Sequence, residues 1–345
     1  MRLILPLTYR CNLNCEYCYV DKRGNESLPL LVGAKAVNFL MQNNKDKEVD
    51  LIFTGGEPLL EWEKMKKLIY CAEYAAKRSG ALIRTLGFPT NGLLLNENIL
   101  SFCRQKNIKL AVSFDGGENK RRTPKGLNSF FIVRKKFPLL LKYKDIVRIR
   151  LTVWPSYAKD LLLNFKKLLK IGFIRFDIQP VIGTKWSEKN RIAYLNNLIQ
   201  SFEIIKRNKT AIDLKHLEDF LNRGEKKCPK ASNEFLVDID GSIYPCEFFL
   251  SIPTEERKKY IIGYVSKGVN SELIENYKNL RICHNNKNFP VIKDKCESCS
   301  VSQVCFKICL GFNIKERKFD LEIAQENWEL MRGIERVFNE FANLI

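Results

Sequence analysis

Cys11, Cys15 and Cys18 carry the most specific chemistry in the chain. They are spaced C-x3-C-x2-C and follow directly on an apolar run, Leu3 to Leu7. Three thiolates on one loop at a strand end suit three corners of an iron–sulfur cube, leaving the fourth iron open to a non-protein ligand. Two plainer readings stand beside that one. Positions i, i+4 and i+7 share a helical face, so three buried structural cysteines fit the spacing. Three thiolates also make a partial zinc site. The polar residues Arg10, Asn12, Asn14 and Glu16 among them speak against an apolar stripe.

A second cysteine field begins at Cys228. Cys228, Gly241 and Cys246 read C-x12-G-x4-C, with a hairpin signal at Asp240-Gly241. Cys296, Cys299, Cys305 and Cys309 read C-x2-C-x5-C-x3-C, a spacing that a zinc ribbon also permits. Cys71 and Cys103 stand singly on helical patterns and read as core residues. The only histidines, His216 and His284, read as surface or structural side chains rather than ligands.

These residues need a scaffold, and the first two hundred positions alternate between strand and helix patterns. Strands are expected at Asp50–Thr54, Leu82–Leu86, Lys109–Ser113, Ile146–Val153 and Phe173–Ile178, after a first strand at Leu3–Leu7. Helices are expected at Leu30–Asn43, Trp62–Arg78, Asn96–Arg104, Asn128–Phe137, Lys159–Lys170 and Asn190–Lys206. Six βα units in sequence imply parallel strands with crossover helices, in an open or closed barrel. Active residues of such barrels gather at the carboxyl ends of the strands, which is where the first cysteine loop falls.

With 345 residues the chain has room for two domains and a sizeable core. No apolar run is long enough to span a membrane and no signal-peptide pattern opens the chain, so a cytoplasmic location is expected. Twelve cysteines without a leader argue for metal ligation over disulfides. The formal charge of +19, reduced by any cluster thiolates, leaves a basic excess suited to an acidic peptide, an acidic electron-donor protein or nucleic acid. The run Lys120–Lys125 reads as a solvated loop, since no aromatic residues interleave for base stacking.

The C-x3-C-x2-C loop, with Tyr17 directly before its third cysteine, resembles the radical S-adenosylmethionine (SAM) superfamily. That resemblance implies an α/β fold, a partial (β/α)6 TIM-like barrel over residues 1–215. It also implies a [4Fe–4S] cluster on Cys11, Cys15 and Cys18 whose open iron binds SAM, and reductive cleavage of SAM to a 5′-deoxyadenosyl radical. Gly55-Gly56-Glu57-Pro58 resembles the family's GGEP segment near the SAM amino group, with Glu57 fixing the loop. Thr90-Asn91-Gly92 and Ser113-Phe114-Asp115-Gly116 resemble segments near the SAM ribose and methionyl groups. Arg121 and Arg122 are the candidates for pairing with the SAM carboxylate, and Gln179 for the adenine.

The second field resembles the SPASM extension of that superfamily, a cysteine-rich iron–sulfur domain expected over residues 216–345. By resemblance, Cys228, Cys246 and Cys309 serve one auxiliary [4Fe–4S] cluster and Cys296, Cys299 and Cys305 a second, which makes three clusters in all. A seventh cysteine is expected after Cys309 and is absent, Asn327-Trp328-Glu329 standing in its region. Cys283 substitutes for it, or one cluster keeps an open iron or an oxygen ligand. Glu247, directly after Cys246, resembles the base of anaerobic sulfatase-maturing enzymes; a solvent-facing strand glutamate is the plainer reading.

The resemblance implies a peptide- or protein-modifying enzyme that oxidises or cross-links a residue of a ribosomally made precursor. Sulfatase maturation to formylglycine is the alternative, and a basic metal-binding protein acting on nucleic acid is the alternative of another class. Expected partners are the precursor, an electron donor such as flavodoxin or ferredoxin, and a separate leader-binding carrier protein or a direct docking edge.

Overall fold

The computed structural model describes residues 1–20, 26–43, 48–116, 129–181, 183–208, 234–274, 314–315, 318–319, 326, 329–334 and 336–337. The chain divides into two compact units. One comprises Met1–Val112, Lys120–Val147 and Pro229–Asn279, the other Ser113–Asn119, Arg148–Cys228 and Leu280–Ile345.

The first unit is built on β1 (Arg2–Thr8), β2 (Glu48–Gly55), β3 (Leu82–Thr90) and β4 (Lys109–Ser113), paired in parallel in that order. Between them run α1 (Leu30–Gln42), α2 (Trp62–Ser79) and α3 (Glu97–Gln105). Every residue of β1 after Arg2 is buried, as a central parallel strand covered on both faces requires. Pro6 offers no N–H to the ladder, and the pairing with β2 shifts register between Pro6 and Thr8.

Helix ends follow their local chemistry. Asn96 accepts a hydrogen bond from the Ile99 N–H at 3.0 Å and so caps α3. Gly80, at φ 69°, closes α2 in a left-handed cap.

The hairpin signalled at Asp240-Gly241 joins β7 (Glu234–Val237) to β8 (Ser242–Tyr244). It extends the same sheet: β7 pairs in parallel with the free side of β1, and β8, β9 (Gly263–Tyr264) and β10 (Gly268–Val269) follow in antiparallel order. Among the described residues no pairing closes the sheet into a ring. After β4 come α4 (Ser129–Lys135) and α5 (Phe137–Lys142). A single helix was expected here; Pro138 instead sits in the first turn of a second helix, where its missing N–H costs nothing.

In the second unit β5 (Val147–Val153) pairs in parallel with β6 (Phe176–Pro180). β5 alternates buried Ile149, Leu151 and Val153 with half-buried Arg148, Arg150 and Thr152. β6 starts three residues later than expected, because the Phe173 N–H turns back to the Leu168 carbonyl at 3.2 Å to finish α6 (Leu161–Ile171). Phe165 of α6 meets Phe176 edge-on at 4.9 Å. Trp186, fully buried, donates its indole N–H to the Val181 carbonyl at 2.8 Å, just before α7 (Glu188–Asn208). Among the described residues no helix is long and apolar enough to cross a membrane.

Candidate iron–sulfur and cofactor site

Three loops meet at the carboxyl end of β1. Gly56 donates its N–H to the Thr8 carbonyl at 2.8 Å, and Glu57 donates to the Arg10 carbonyl at 2.9 Å. A side chain at Gly56 would stand 2.1 Å from the Arg10 oxygen, and Gly55 adopts φ +121°. The glycines are therefore required by the chain's own backbone, a close approach that the spacing of GGEP did not reveal.

Glu57 is 1% exposed and its carboxylate is fully engaged. One oxygen accepts from the Thr90 hydroxyl at 2.8 Å and the Leu59 N–H at 3.1 Å; the other accepts from the Asn91 N–H at 2.8 Å. This ties the loop after β2 to the loop after β3. Asn91 in turn donates its side-chain amide to Asn12 Oδ1 at 2.6 Å and to Cys11 Sγ at 3.9 Å. Arg10 pairs with Glu61 at 2.6 Å. Burial works to raise the Glu61 carboxyl, and bonds to Lys64, Ser27 and Arg10 outweigh it and hold the group below the usual carboxylate range.

The cysteine loop is anchored by buried Leu13, Val20 and Leu28. Cys11 and Cys15 are half-buried and Cys18 is exposed, and none of the three is in a disulfide. The Leu13 N–H points at Cys11 Sγ from 3.4 Å, and the Cys18 N–H bonds the Cys15 carbonyl at 3.2 Å. Tyr17 is half-buried. Among the described residues no three Cys, His, Asp or Glu side chains converge to hold a single metal ion. A cubane asks for less convergence, because each thiolate takes its own iron. Three accessible thiols within eight positions, one already receiving N–H donors of the kind that tune cluster sulfur, are a donor set that fits a [4Fe–4S] centre.

Cys103 differs in kind: it is fully buried, and desolvation pushes its thiol up to about 12, which makes it an inert core residue. Cys71 is only half-buried, less enclosed than its apolar neighbours implied.

In the second unit the Phe114 N–H bonds the Arg150 carbonyl at 2.9 Å, and Asp115 accepts from the Thr152 N–H at 3.4 Å. Ser113 is half-buried at the end of β4. Gln179 spends its amide on Asp177, which also pairs with Arg150 at 2.7 Å.

Cys246 and Glu247 lie at the other end of β1 from the cysteine loop. The Glu247 N–H donates to Glu234 Oε1 at 3.1 Å, and Glu234 faces Arg2 at 3.5 Å, in register with it. Arg2 also pairs with Asp50 at 3.3 Å, and Arg84 closes on the same carboxylate at 2.7 Å. The seven residues of β1 lie between the two cysteine positions, a span of about 20 Å at ~3.3 Å per step. Cys246 is 6% exposed and Glu247 half-buried. Sequence reasoning missed Asn12, the Arg2–Asp50–Arg84–Glu234 cluster, and a buried group of Tyr9, Asp238 and Arg257. Burial and the neighbouring Asp238 push the Tyr9 hydroxyl far above its ordinary value, so it stays protonated. Arg121, Arg122, Cys228, Cys283, Cys296, Cys299, Cys305 and Cys309 lie outside the described residues, as do His216, His284 and Lys120–Lys125.

The family profile described as the radical SAM superfamily matches residues 5–179. An uncharacterized protein of Methanocaldococcus jannaschii is 29% identical over 252 residues, covering 71% of this chain and 84% of the relative. A cysteine-type anaerobic sulfatase-maturating enzyme of Clostridium novyi is 24% identical over 337 residues, covering 89% of this chain and 87% of the relative. Among solved structures, native anSMEcpe with bound AdoMet and Cp18Cys peptide superimposes with a TM-score of 0.75 at 20% identity, covering all of both chains.

Proposed function

The chain belongs to the radical SAM superfamily, and from that premise we propose that it is an enzyme removing hydrogen from a residue of a peptide or protein, giving an oxidised or cross-linked product. The observation that carries this reading is the junction of three βα loops through Glu57, Asn91 and Cys11 at the carboxyl end of β1. A [4Fe–4S] cluster with SAM, when bound, supplies a 5′-deoxyadenosyl radical able to attack an unactivated C–H bond.

The chain's part is to hold and exclude. Cys11, Cys15 and Cys18 hold the cluster, while Tyr17, Gly55, Gly56, Glu57 and Asn91 form the loops around SAM. Ser113, Asp115, Arg121, Arg122 and Gln179 are the further SAM-contacting positions that family resemblance implies. Residues 1–215 form the SAM core and residues 216–345 a SPASM-type domain. In that domain Cys228, Cys246, Cys283, Cys296, Cys299, Cys305 and Cys309 would hold two auxiliary clusters, which would supply a one-electron acceptor for the oxidation. Glu247 is, by family resemblance alone, the base for the proton released when the substrate carbon radical is oxidised; its place at the far end of β1 from the cysteine loop argues against direct contact with that carbon. A flavodoxin or ferredoxin supplies the reducing electron, in the cytoplasm, and a carrier protein presents the precursor.

Formylglycine formation is the second reading, favoured by the sulfatase-maturating relative that spans 89% of the chain. The test is anaerobic reconstitution followed by reduction with dithionite. Deoxyadenosine should form, and Cys15→Ala should abolish it; normal cleavage by that variant would remove the cofactor assignment. Trapping of a peptide aldehyde by a hydrazine separates formylglycine from a cross-linked product.

A further inference from the structure

Arg257, the last residue of the short helix α8 (Thr254–Arg257), is 0% exposed and carries a full charge into the core of the first unit. Its fork reaches three segments. Nη2 donates to the Tyr9 hydroxyl at 3.0 Å and forms an ion pair with Asp238, and Nη1 donates to the Phe249 carbonyl at 3.2 Å. The Tyr9 hydroxyl donates to the other Asp238 oxygen. The guanidinium also lies 5.1 Å from the Tyr244 ring and 5.9 Å from the Tyr9 ring. Nε has no partner among the described residues.

Such an arrangement is a poor way to gain stability. Buried ion pairs roughly break even against apolar replacements, since desolvation offsets the attraction, and an unsatisfied N–H adds cost. What the fork provides is fixed geometry, because a planar guanidinium dictates the direction of each bond. The segments it fixes are informative. Tyr9 stands two residues before Cys11, Asp238 opens the β7–β8 turn, and Phe249 stands three residues after Cys246. The far end of the same hairpin is held by Arg2 and Glu234, with Glu234 receiving the Glu247 N–H. The hairpin is therefore clamped to β1 at both ends.

We propose that Arg257 is a positioning residue which, through Tyr9 and Asp238, holds the Cys246–Glu247 turn at a fixed reach from the Cys11–Cys18 loop. The inference rests on the proposed function in one respect, namely that both positions serve the same turnover. Loss of the clamp leaves each position formed and misplaces one against the other. Misplacement by about 1 Å is expensive for a reaction, and a variant that keeps a cation beside Asp238 avoids leaving that carboxylate buried and unpaired.

Two variants test this. Arg257→Lys keeps the charge and loses the fork; Tyr9→Phe loses one hydroxyl and keeps the packing. In the reconstituted full chain, Arg257→Lys should lower the ratio of modified peptide to deoxyadenosine by about tenfold, with peptide-free deoxyadenosine formation held within about twofold. Tyr9→Phe should shift the ratio the same way by less.

In the iron-free chain, amide hydrogen exchange should rise by about tenfold together at residues 9–13 and 246–252 and nowhere else in the sheet. An unchanged ratio with unchanged exchange overturns the proposal. So does a rise spread over the whole sheet with a lower melting temperature, which is what a merely structural role predicts. The exchange experiment needs no cofactor, so it judges the clamp even where the wild type leaves peptide unmodified, an outcome that counts against the functional reading alone.

Discussion

Glu57 shows how much one side chain can settle. Its resemblance to the GGEP segment made it legible from sequence as a loop-fixing residue, and the geometry explains why an acid is needed. The two oxygens collect two backbone N–H groups and one hydroxyl from adjacent loops. An amide in its place would turn an NH2 toward one set of these donors. Glu57→Gln should lower stability by about 2 kcal/mol, the range for hydrogen bonds to a charged group, measured as a shift of the urea midpoint at constant slope. Asn12 and Asn91 were less legible. Asn91 was noted for a family segment, and its bonds to Asn12 and Cys11 depend on two loops far apart in sequence. Arg257 left no local mark, since its partners come from three separate segments.

At the scale of elements, the alternation of strand and helix patterns was readable because parallel strands are buried on both faces and helices on one. Errors fell where local chemistry overrode periodicity, at Pro138 and at the turn after Gly172. Pairing of β7 with β1 was not readable, because a hairpin signal says nothing of which sheet edge the hairpin joins.

The ion-pair cluster of Arg2, Asp50 and Arg84 on β1 to β3 has a pH signature. Burial works to raise Asp50, and its bonds to Arg84 and Thr85 and its attraction to Arg2 and Arg84 outweigh it and hold the carboxyl below its usual value. Glu61 is depressed likewise. A depressed carboxyl contributes stability above its unfolded pKa and loses it as pH falls through the folded one. The unfolding free energy should therefore be flat near neutrality and fall below about pH 4. In Asp50→Asn the acid fall should be shallower, from a lower plateau, as followed by circular dichroism in the iron-free chain.

For the whole molecule, the two cysteine fields make separate demands, and metal content weighs them together. Three cubanes require about twelve iron atoms and as many sulfides per chain. About four of each after anaerobic reconstitution would restrict clusters to the Cys11 loop, and bound zinc would return the second field to a ribbon. The family followed from the first field, whose spacing is short and local. The second field is harder to read, since by resemblance the ligands of one cluster would be drawn from positions far apart in the chain, and a missing seventh cysteine leaves their pairing open. A basic excess of +19 is compatible with an acidic electron donor and alone names no partner.

The length of β1 sets a ruler. On the assignment proposed above, Cys246 and the Cys11 loop stand about a strand's length apart, so what would pass between them in a turnover is an electron and not a substrate group.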